Sequence, residues 1–295
     1  MTAIALSRMP AVAARPAQAA RAARAAVVPA AAAFTARRPA ASRRQLARQR
    51  GGSLLVYANW GAPVEFAAGK VLENEREAEG PLQRLKVQIG GAASAYTKAG
   101  QFIQAKTSED GKPGFFAIAS PPGADKENGT VELLIKSQPG ATAEQLCAAA
   151  SGSSLLVSAP MGKGFPVDSI PPSDVHTVLI FATGSGISPI KALIESGALQ
   201  ADKRREVRLY YGVRSPAHQA FAASIPAWEA AGVKVHTVFS EQGQGYVQDA
   251  FAKDNGVSDW AGVAAVLCGQ KEMAGAITEL LTGKGVPKER ILTNF

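Results

Sequence analysis

The stretch 176-HTVLIFATGSGISPI-190 decides how the second half of the chain folds. Its apolar run, residues 178–182, is too short for a helix and leads into a glycine-rich turn, which is typical of a parallel strand buried on both faces. Gly184 and Gly186 allow the backbone to approach a ligand closely, and Pro189 is compatible with the first turn of a helix. The N–H groups of such a turn can bind a phosphate, although the same pattern also occurs where a chain only turns tightly.

Predicted strands and helices alternate from this stretch to the C-terminus. The alternation predicts a doubly wound parallel sheet, in which ligands bind outside the carboxyl ends of the strands. The predicted strands begin at 178 and cover 207–211, 233–239, 263–267 and 291–293, and the predicted helices begin at 189 and 247 and cover about 219–231 and 273–281. Four residues that follow such strand ends are candidates for ligand binding: Thr183, Arg214, Ser240 and Cys268.

The region before this sheet has a different pattern, in which short apolar runs are separated by turn residues. The pattern extends from residue 64 to about residue 158 and predicts an antiparallel β-barrel. Its runs are 85–89, 102–105, 115–119, 131–135 and 155–157. Thr142 can cap a short helix after the turn Pro139-Gly140. We therefore predict a barrel domain at 59–167, a proline-containing linker at 168–175 and an α/β domain at 176–295.

Residues 1–58 contain ten arginines and no Asp or Glu among many Ala, Pro and Ser residues. This composition cannot form a packed core and lacks the apolar centre of a secretory signal, so it is typical of an organelle transit peptide. The tripeptide Val56-Tyr57-Ala58 resembles the processing site of green-algal chloroplast transit peptides. We expect a mature N-terminus near Asn59 and a location in the chloroplast stroma. The alternative is a basic tail that binds nucleic acid or an anionic membrane.

The composition of the remaining chain narrows its functional class. Removing the ten arginines from 32 basic residues leaves 22 against 24 acidic ones, so no nucleic-acid-binding surface is expected there. No apolar run reaches membrane-spanning length, and no integral membrane segment is expected. Two cysteines and three scattered histidines offer neither an iron–sulfur nor a zinc site, so we predict no metal. Any redox chemistry then requires an organic cofactor.

A barrel, a linker and a nucleotide sheet that opens with ATGSGISP together resemble the ferredoxin:NADP reductase superfamily, from residue 64 to the end of the chain. The motifs that agree in order are 100-GQF-102, 116-FAIAS-120, 140-GAT-142, 182-ATGSGISP-189, 211-YGVR-214, 245-GYVQD-249 and 267-LCG-269 with Met273. The segment 159-APMGKGF-165 is similar to the run that closes the barrel in the electron-transfer subunit of dihydroorotate dehydrogenase.

The resemblance implies a flavin, FAD or FMN, on the barrel and NADPH or NADH on the α/β domain. The residues implied to line the flavin ring and ribityl chain are Phe116, Ala117, Ile118, Ala119 and Ser120, and those implied to face its phosphates are Gly140, Ala141 and Thr142. The residues implied to bind the nicotinamide nucleotide are Thr183, Gly184, Ser185, Gly186, Pro189, Arg214, Ser215, Ser240, Gly269 and, against adenine, Tyr246. Cys268 is implied to lie beside the hydride path and the terminal Phe295 to stack on the flavin.

Two motifs depart from the family pattern. The flavin motif R-x-Y-S is replaced by 114-GFFA-117, which removes an arginine and two hydroxyl groups. The S-R-E segment that binds a 2′-phosphate is replaced by Ser240-Glu241, so NADPH preference depends on Arg214, which also fits an exposed arginine beside a turn. Cys268 also fits a small buried apolar residue. The choice between NADPH and NADH stays open.

We predict a flavin-dependent oxidoreductase that moves a hydride between NAD(P)H and flavin and passes electrons to a further acceptor. A ferredoxin-like acidic protein acceptor would need a basic patch, for which the candidates are Lys70, Lys86, Lys98, Lys106 and Lys163. The rival hypothesis is a non-catalytic nucleotide-binding scaffold or sensor that keeps the reductase fold without flavin. The missing arginine and hydroxyl groups of the flavin motif favour this rival.

Overall fold

The structure is a computed structural model, which describes residues 64–254 and 256–294. Its first part is a six-stranded antiparallel sheet with the strand order β4-β3-β6-β1-β2-β5. The strands are β1 (Phe66–Ala78), β2 (Leu82–Gln88), β3 (Phe102–Lys106), β4 (Gly114–Ala117), β5 (Thr130–Lys136) and β6 (Ser154–Ser158), and helix α1 (Thr142–Cys147) lies between β5 and β6. The two sheet edges meet where the Ala119 N–H donates to the Glu132 carbonyl at 2.7 Å. The predicted barrel is therefore confirmed.

One barrel strand, β1, was not predicted. Within it, Val71 is the one fully buried residue, and the charged residues around it leave no apolar run. Glu75 and Glu77 of β1 instead pair with Arg84 of β2, at 2.5 and 3.2 Å. The strand is specified by long pairing with β2 and β6, which a search for apolar runs does not detect.

The second part is a five-stranded parallel sheet with the order β11-β10-β7-β8-β9. The strands are β7 (Thr177–Thr183), β8 (Glu206–Val213), β9 (Val233–Phe239), β10 (Val263–Cys268) and β11 (Ile291–Leu292), and the helices are α2 (Ile187–Glu195), α3 (Ile225–Ala230), α4 (Val247–Lys253) and α5 (Lys271–Gly283). All of β7 except Thr183 is buried, as its continuous apolar sequence predicts. The predicted parallel α/β sheet is confirmed.

Helix α3 begins six residues later than the predicted start at 219, because Phe221 has a left-handed backbone conformation (φ 57°). A helix cannot pass through such a residue. The Phe221 N–H donates at 2.7 Å to the carboxylate of Glu77 in the barrel. None of the helices in the described part of the chain has the length and apolar character needed to cross a membrane.

Arg208 of β8 anchors the end of α4 to the parallel sheet. Its guanidinium pairs with Glu206 at 2.7 Å and also contacts Asp254. Burial alone would raise the pKa of Asp254, but hydrogen bonds from Tyr210 and from the Gly256 N–H, together with the charge of Arg208, hold that pKa below its usual value. The ionised form of Asp254 therefore stabilises the fold.

The barrel and the parallel sheet contact each other through polar side chains of α2. The Ser188 hydroxyl donates to the carbonyl of Ala117 at 3.0 Å, and the Lys191 ammonium lies 3.1 Å from the Glu132 carboxylate. Near the end of the chain, the Asn294 amide donates to the carbonyl of Gly100 at 3.1 Å. These contacts place the end of β4 directly against the first turns of α2.

Candidate functional site

The order of the parallel sheet reverses between β7 and β10, and the space outside the carboxyl ends of these two strands is here called the crevice. The chain leaves β7 toward β8 on one side and reaches β10 and β11 on the other. Such a switch point is where open α/β sheets bind their ligands. The turn after β7, Thr183 to Gly186, and the loop after β10, Cys268 to Gly269, both lie at the carboxyl ends of these strands. The structure therefore brings these two predicted groups of residues together.

Glycines allow the two loops of the crevice to lie in contact. A Cβ atom at Gly186 would overlap the carbonyl oxygen of Cys268 and lie 2.9 Å from the Gly269 Cα. Gly269 has φ +151°, and a Cβ there would overlap the Thr183 hydroxyl. That hydroxyl accepts a hydrogen bond from the Gln270 N–H at 2.9 Å. By contrast, no atom lies within 4 Å of the Cβ position at Gly184, which is exposed to the crevice.

The side chains of Cys268, Ser185 and Pro189 differ in their access to this crevice. Cys268 is half-buried at the end of β10, and burial raises the pKa of its thiol to about 12. A neutral thiol is favoured by this burial, which is compatible with a place beside a hydride path. Ser185 is half-buried in the turn, whereas Pro189 is buried in the first turn of α2.

The outer rim of the crevice carries the other predicted nucleotide-binding residues. Arg214 is exposed, and among the described residues it has no ion pair within 4 Å. Its carbonyl accepts a hydrogen bond from the Glu241 N–H at 2.9 Å, so the Ser240 turn adjoins it. Ser215 is engaged with His218, with 2.8 Å between Oγ and Nδ1. The structure thus groups Arg214, Ser215 and Ser240 and leaves the Arg214 guanidinium available to an anion.

Tyr246 is one of two exposed large hydrophobic residues in the described chain, with 63% of its surface accessible. Its backbone N–H donates to the Asp249 carboxylate at 2.8 Å, which fixes the start of α4. The phenol ring is therefore held on a rigid element with its surface free, as the predicted stacking on adenine requires.

Three of the five predicted flavin-lining residues have buried side chains, Phe116 and Ile118 in the barrel core and Ala119 in the cluster that includes β7 and α2. Phe116 is 8% exposed, and Ile118 and Ala119 are fully buried. The Ser120 hydroxyl accepts the Glu132 N–H at 3.0 Å. Backbone atoms and the half-buried Ala117 remain to face a flavin, so a lining role for the Phe116, Ile118 and Ala119 side chains does not fit this packing.

The structure instead exposes Phe115, which the sequence analysis did not single out. Its side chain is 61% exposed, and its ring lies 5.8 Å from that of Phe102 on the neighbouring strand. Phe102 pairs with Ala117, whose carbonyl binds Ser188 of α2. The alternation of side chains along a strand could have indicated that Phe115 is exposed. Phe116 and the apolar Ile118 are two residues apart and share one face, whereas Phe115 lies on the opposite face. An aromatic platform therefore lies on the barrel beside the crevice.

The residues predicted to face flavin phosphates do not fit that role. The Gly140 N–H donates to the Glu144 carboxylate at 2.8 Å, the Ala141 N–H donates to the Gln138 carbonyl at 3.1 Å, and the Thr142 hydroxyl donates to the Lys112 carbonyl. These three donors are thus already paired within the protein. The nicotinamide site and the ring platform fit their groups, whereas this phosphate site does not.

Two predictions lie outside the described residues. Phe295 is one of them, so its stacking role stays a prediction. The transit segment 1–58 is the other.

The two-part fold, an antiparallel barrel followed by a parallel α/β sheet, is the fold of solved ferredoxin reductases. A solved structure of a ferredoxin NADP+ reductase from Neisseria gonorrhoeae with bound FAD and NADP matches with a TM-score of 0.61 at 18% identity, over 76% of this chain and 93% of that chain. Residues 180–279 match the family "Oxidoreductase NAD-binding domain". These residues, about a third of the chain, are similar to that nucleotide-binding domain.

Two curated relatives match over longer or overlapping parts of the chain. "Fruit protein pKIWI502" of Actinidia deliciosa is 37% identical over 209 residues, which cover 67% of this chain and 66% of that protein. The ferredoxin--NAD(+) reductase component of the alkene monooxygenase system of Xanthobacter autotrophicus is 30% identical over 145 residues, which cover 45% of this chain and 43% of that protein. The chain thus spans under two thirds of the length of either relative.

Proposed function

We propose that this protein is an NAD(P)H-dependent oxidoreductase that transfers electrons from the nicotinamide nucleotide to a flavin. The proposal depends on the close contact between the loop after β7 and the loop after β10 at the switch point. In these loops Gly186 and Gly269 have no room for a side chain. The absence of side chains at these two positions leaves the backbone accessible to a nucleotide. The family match of residues 180–279 supports the same proposal.

The residues of the chain would bind and orient the reactants. Tyr246 would stack on the adenine, Arg214 would pair with a ribose phosphate, and the Thr183–Gly186 turn would hold the pyrophosphate and ribose. The flavin ring would lie on Phe115, beside Ala117 and the first turn of α2. When bound, the flavin supplies the two-electron chemistry, and the protein contributes proximity and orientation.

The experiment uses the two exposed aromatic residues as matched controls for each other. Stacking on an aromatic ring contributes about 1–3 kcal/mol, so we expect Tyr246→Ala to weaken NADPH and NADH binding at least fivefold and to leave flavin binding unchanged. Phe115→Ala should do the reverse. Isothermal titration calorimetry of the full chain measures both constants. Wild-type protein that binds neither nucleotide at millimolar concentration would contradict the proposal.

A protein acceptor of the ferredoxin type receives little support from the predicted lysines. Lys86 pairs with Asp125 at 3.3 Å and Lys98 pairs with Asp168 at 2.5 Å. Lys106 donates to the Glu109 carbonyl. These three cations are engaged within the chain, which leaves Lys70 and Lys163 of the five candidates. A ferredoxin-like partner is therefore a weaker proposal than the transfer to flavin itself.

The rival scaffold function has one specific observation in its favour, the unsuitable phosphate site. A scaffold would bind the nucleotide and no flavin. Calorimetric titration with riboflavin, FMN and FAD separates the two functions, because any saturable flavin binding that Phe115→Ala weakens supports the reductase.

We also propose that residues 1–58 direct the protein to the chloroplast stroma. Their arginine-rich composition without acidic residues supports this proposal. N-terminal sequencing of the protein from isolated chloroplasts should begin close to Asn59. Recovery of the arginine-rich segment on the stable cellular protein would contradict the proposal and favour the basic tail.

A further inference from the structure

The phosphate-facing turn of the barrel is closed by the protein's own side chains. A carboxylate, that of Glu144, binds the Gly140 N–H at the start of α1, where a flavin phosphate would need the same donor. Glu144 lies in the first turn of this helix, where its negative charge is favourable. A phosphate brought to this turn would therefore meet a like charge and lose a donor.

The start of β4 lacks the arginine of the family's flavin motif, and its nearest cation along the chain is the exposed Lys112. Position 114, which carries arginine in the family's flavin motif, is a glycine here. A Cβ at Gly114 would lie 2.6 Å from the Phe116 ring and 3.5 Å from the Thr142 Cβ. The Phe116 ring thus fills the space into which a side chain at position 114 would extend. The packing of the Phe116 ring therefore leaves no room for an arginine at position 114.

The ring end of the flavin site has none of these obstacles. Phe115 presents an exposed aromatic face, and Ala117 lies two residues further along the same strand, about 7 Å away. The Ser188 hydroxyl of α2 donates to the Ala117 carbonyl, and α2 begins directly after the turn of residues 183–186. A flavin can therefore be bound through its ring, the part common to riboflavin, FMN and FAD.

From these contacts we propose that flavin is a diffusible substrate of this protein, bound through its ring with little discrimination among riboflavin, FMN and FAD. The inference rests on the proposed function and names its electron acceptor. In the reaction, the C4–H bond of NAD(P)H breaks and an N5–H bond forms on the flavin. The hydride carries both electrons, so the nicotinamide is oxidised, the flavin is reduced, and the reduced flavin leaves.

The test measures dissociation constants of the flavin-free full chain for riboflavin, FMN and FAD by calorimetry. We expect the three constants to agree within about threefold, since the phosphates make no net favourable contact. Glu144→Gln keeps an oxygen that can accept the Gly140 N–H and removes the charge. It should tighten FMN and FAD about fivefold, as removal of one exposed like charge at contact distance does, and leave riboflavin unchanged. Glu229→Gln, an equal charge change on the exposed face of α3, is the control and should change none of the three.

The outcomes separate this inference from the proposed function. Two results would overturn the inference without contradicting the proposed reductase function. One is FMN or FAD binding more than thirtyfold tighter than riboflavin binding, and the other is a flavin that stays bound to the protein at a one-to-one molar ratio through gel filtration. An unchanged preference in Glu144→Gln would overturn the role of that carboxylate in excluding phosphate. Absence of binding for all three flavins would overturn the proposed function as well.

Discussion

Replacing Gly186 with alanine tests the central feature of the crevice, because the backbone at this position favours alanine and only the contact with β10 opposes it. Gly186 has φ −62° and ψ −14°, which are ordinary right-handed helical values. Alanine in such a conformation is more favourable than glycine by up to about 1 kcal/mol. The new Cβ, however, would overlap the Cys268 carbonyl oxygen and lie 2.7 Å from its carbonyl carbon. These are backbone atoms at the end of a sheet strand, which cannot rotate away as a side chain can.

Overpacking against fixed atoms costs about 1–3 kcal/mol, so the net effect of Gly186→Ala is destabilising. After the alanine preference is subtracted, the net cost is up to about 2 kcal/mol. Each kcal/mol lowers Tm by about 2–4 °C for a folded part of this size, so we expect a fall of up to about 8 °C in a thermal unfolding experiment. Since the two loops must separate, nucleotide binding measured by calorimetry should weaken at least tenfold. Gly275→Ala in α5 is the control, because no atom lies within 4 Å of its Cβ position, and its Tm should stay constant or rise. A Gly186→Ala protein with unchanged Tm and unchanged nucleotide affinity would refute the argument.

Three further predictions concern single charged residues. Arg214→Ala should weaken NADPH about tenfold and leave NADH nearly unchanged in calorimetry, as loss of one exposed ionic hydrogen bond does; equal losses would show that Arg214 binds a group common to both nucleotides. Because the pKa of Asp254 is lower in the folded protein than its unfolded value of about 3.9, the ionised carboxylate stabilises the fold above that pH, and this stabilisation is lost as the pH falls through the folded-state pKa. Tm measured from pH 6 to pH 2 should therefore fall less steeply in Asp254→Asn than in the wild type. Lys191→Met should lower the free energy of unfolding in urea by about 1–2 kcal/mol, because it leaves Glu132 and Glu195 without their shared cation, and an unchanged midpoint would contradict this role.

The sequence predicted the parallel sheet well because its central strands, β7 and β10, are continuous apolar runs. The 178–182 run became β7, and the glycine turn and Pro189 in the first turn of α2 followed as expected. Boundaries failed where a single residue departs from ordinary backbone geometry, as Phe221 does before α3. The charged strand β1 was missed because it is specified by its long pairing with β2 and β6, which apolar periodicity does not report.

The candidate site was predictable only on its nucleotide side. Gly186 and Gly269 are 83 positions apart, yet both follow strand ends, and parallel topology brings such ends together. On the flavin side, the family pattern suggested Phe116, whereas the alternation of β4 exposes Phe115. The hydrogen bond from the Gly140 N–H to the Glu144 carboxylate depends on the rotamer of Glu144, which the amino-acid sequence alone does not give.

The contacts of α2 explain how a flavin ring can be positioned without a bound phosphate. The carbonyl of Ala117 accepts from Ser188 at 3.0 Å, and the carbonyl of Ala119 lies 3.5 Å from the Lys191 ammonium. Both donors belong to the helix that follows the nucleotide turn, and both are buried. The strand beside the flavin ring and the turn beside the nicotinamide are thus fixed to the same rigid element. Their spacing is set before either ligand binds, so the orientation of the two rings does not depend on anchoring the flavin at its phosphate end.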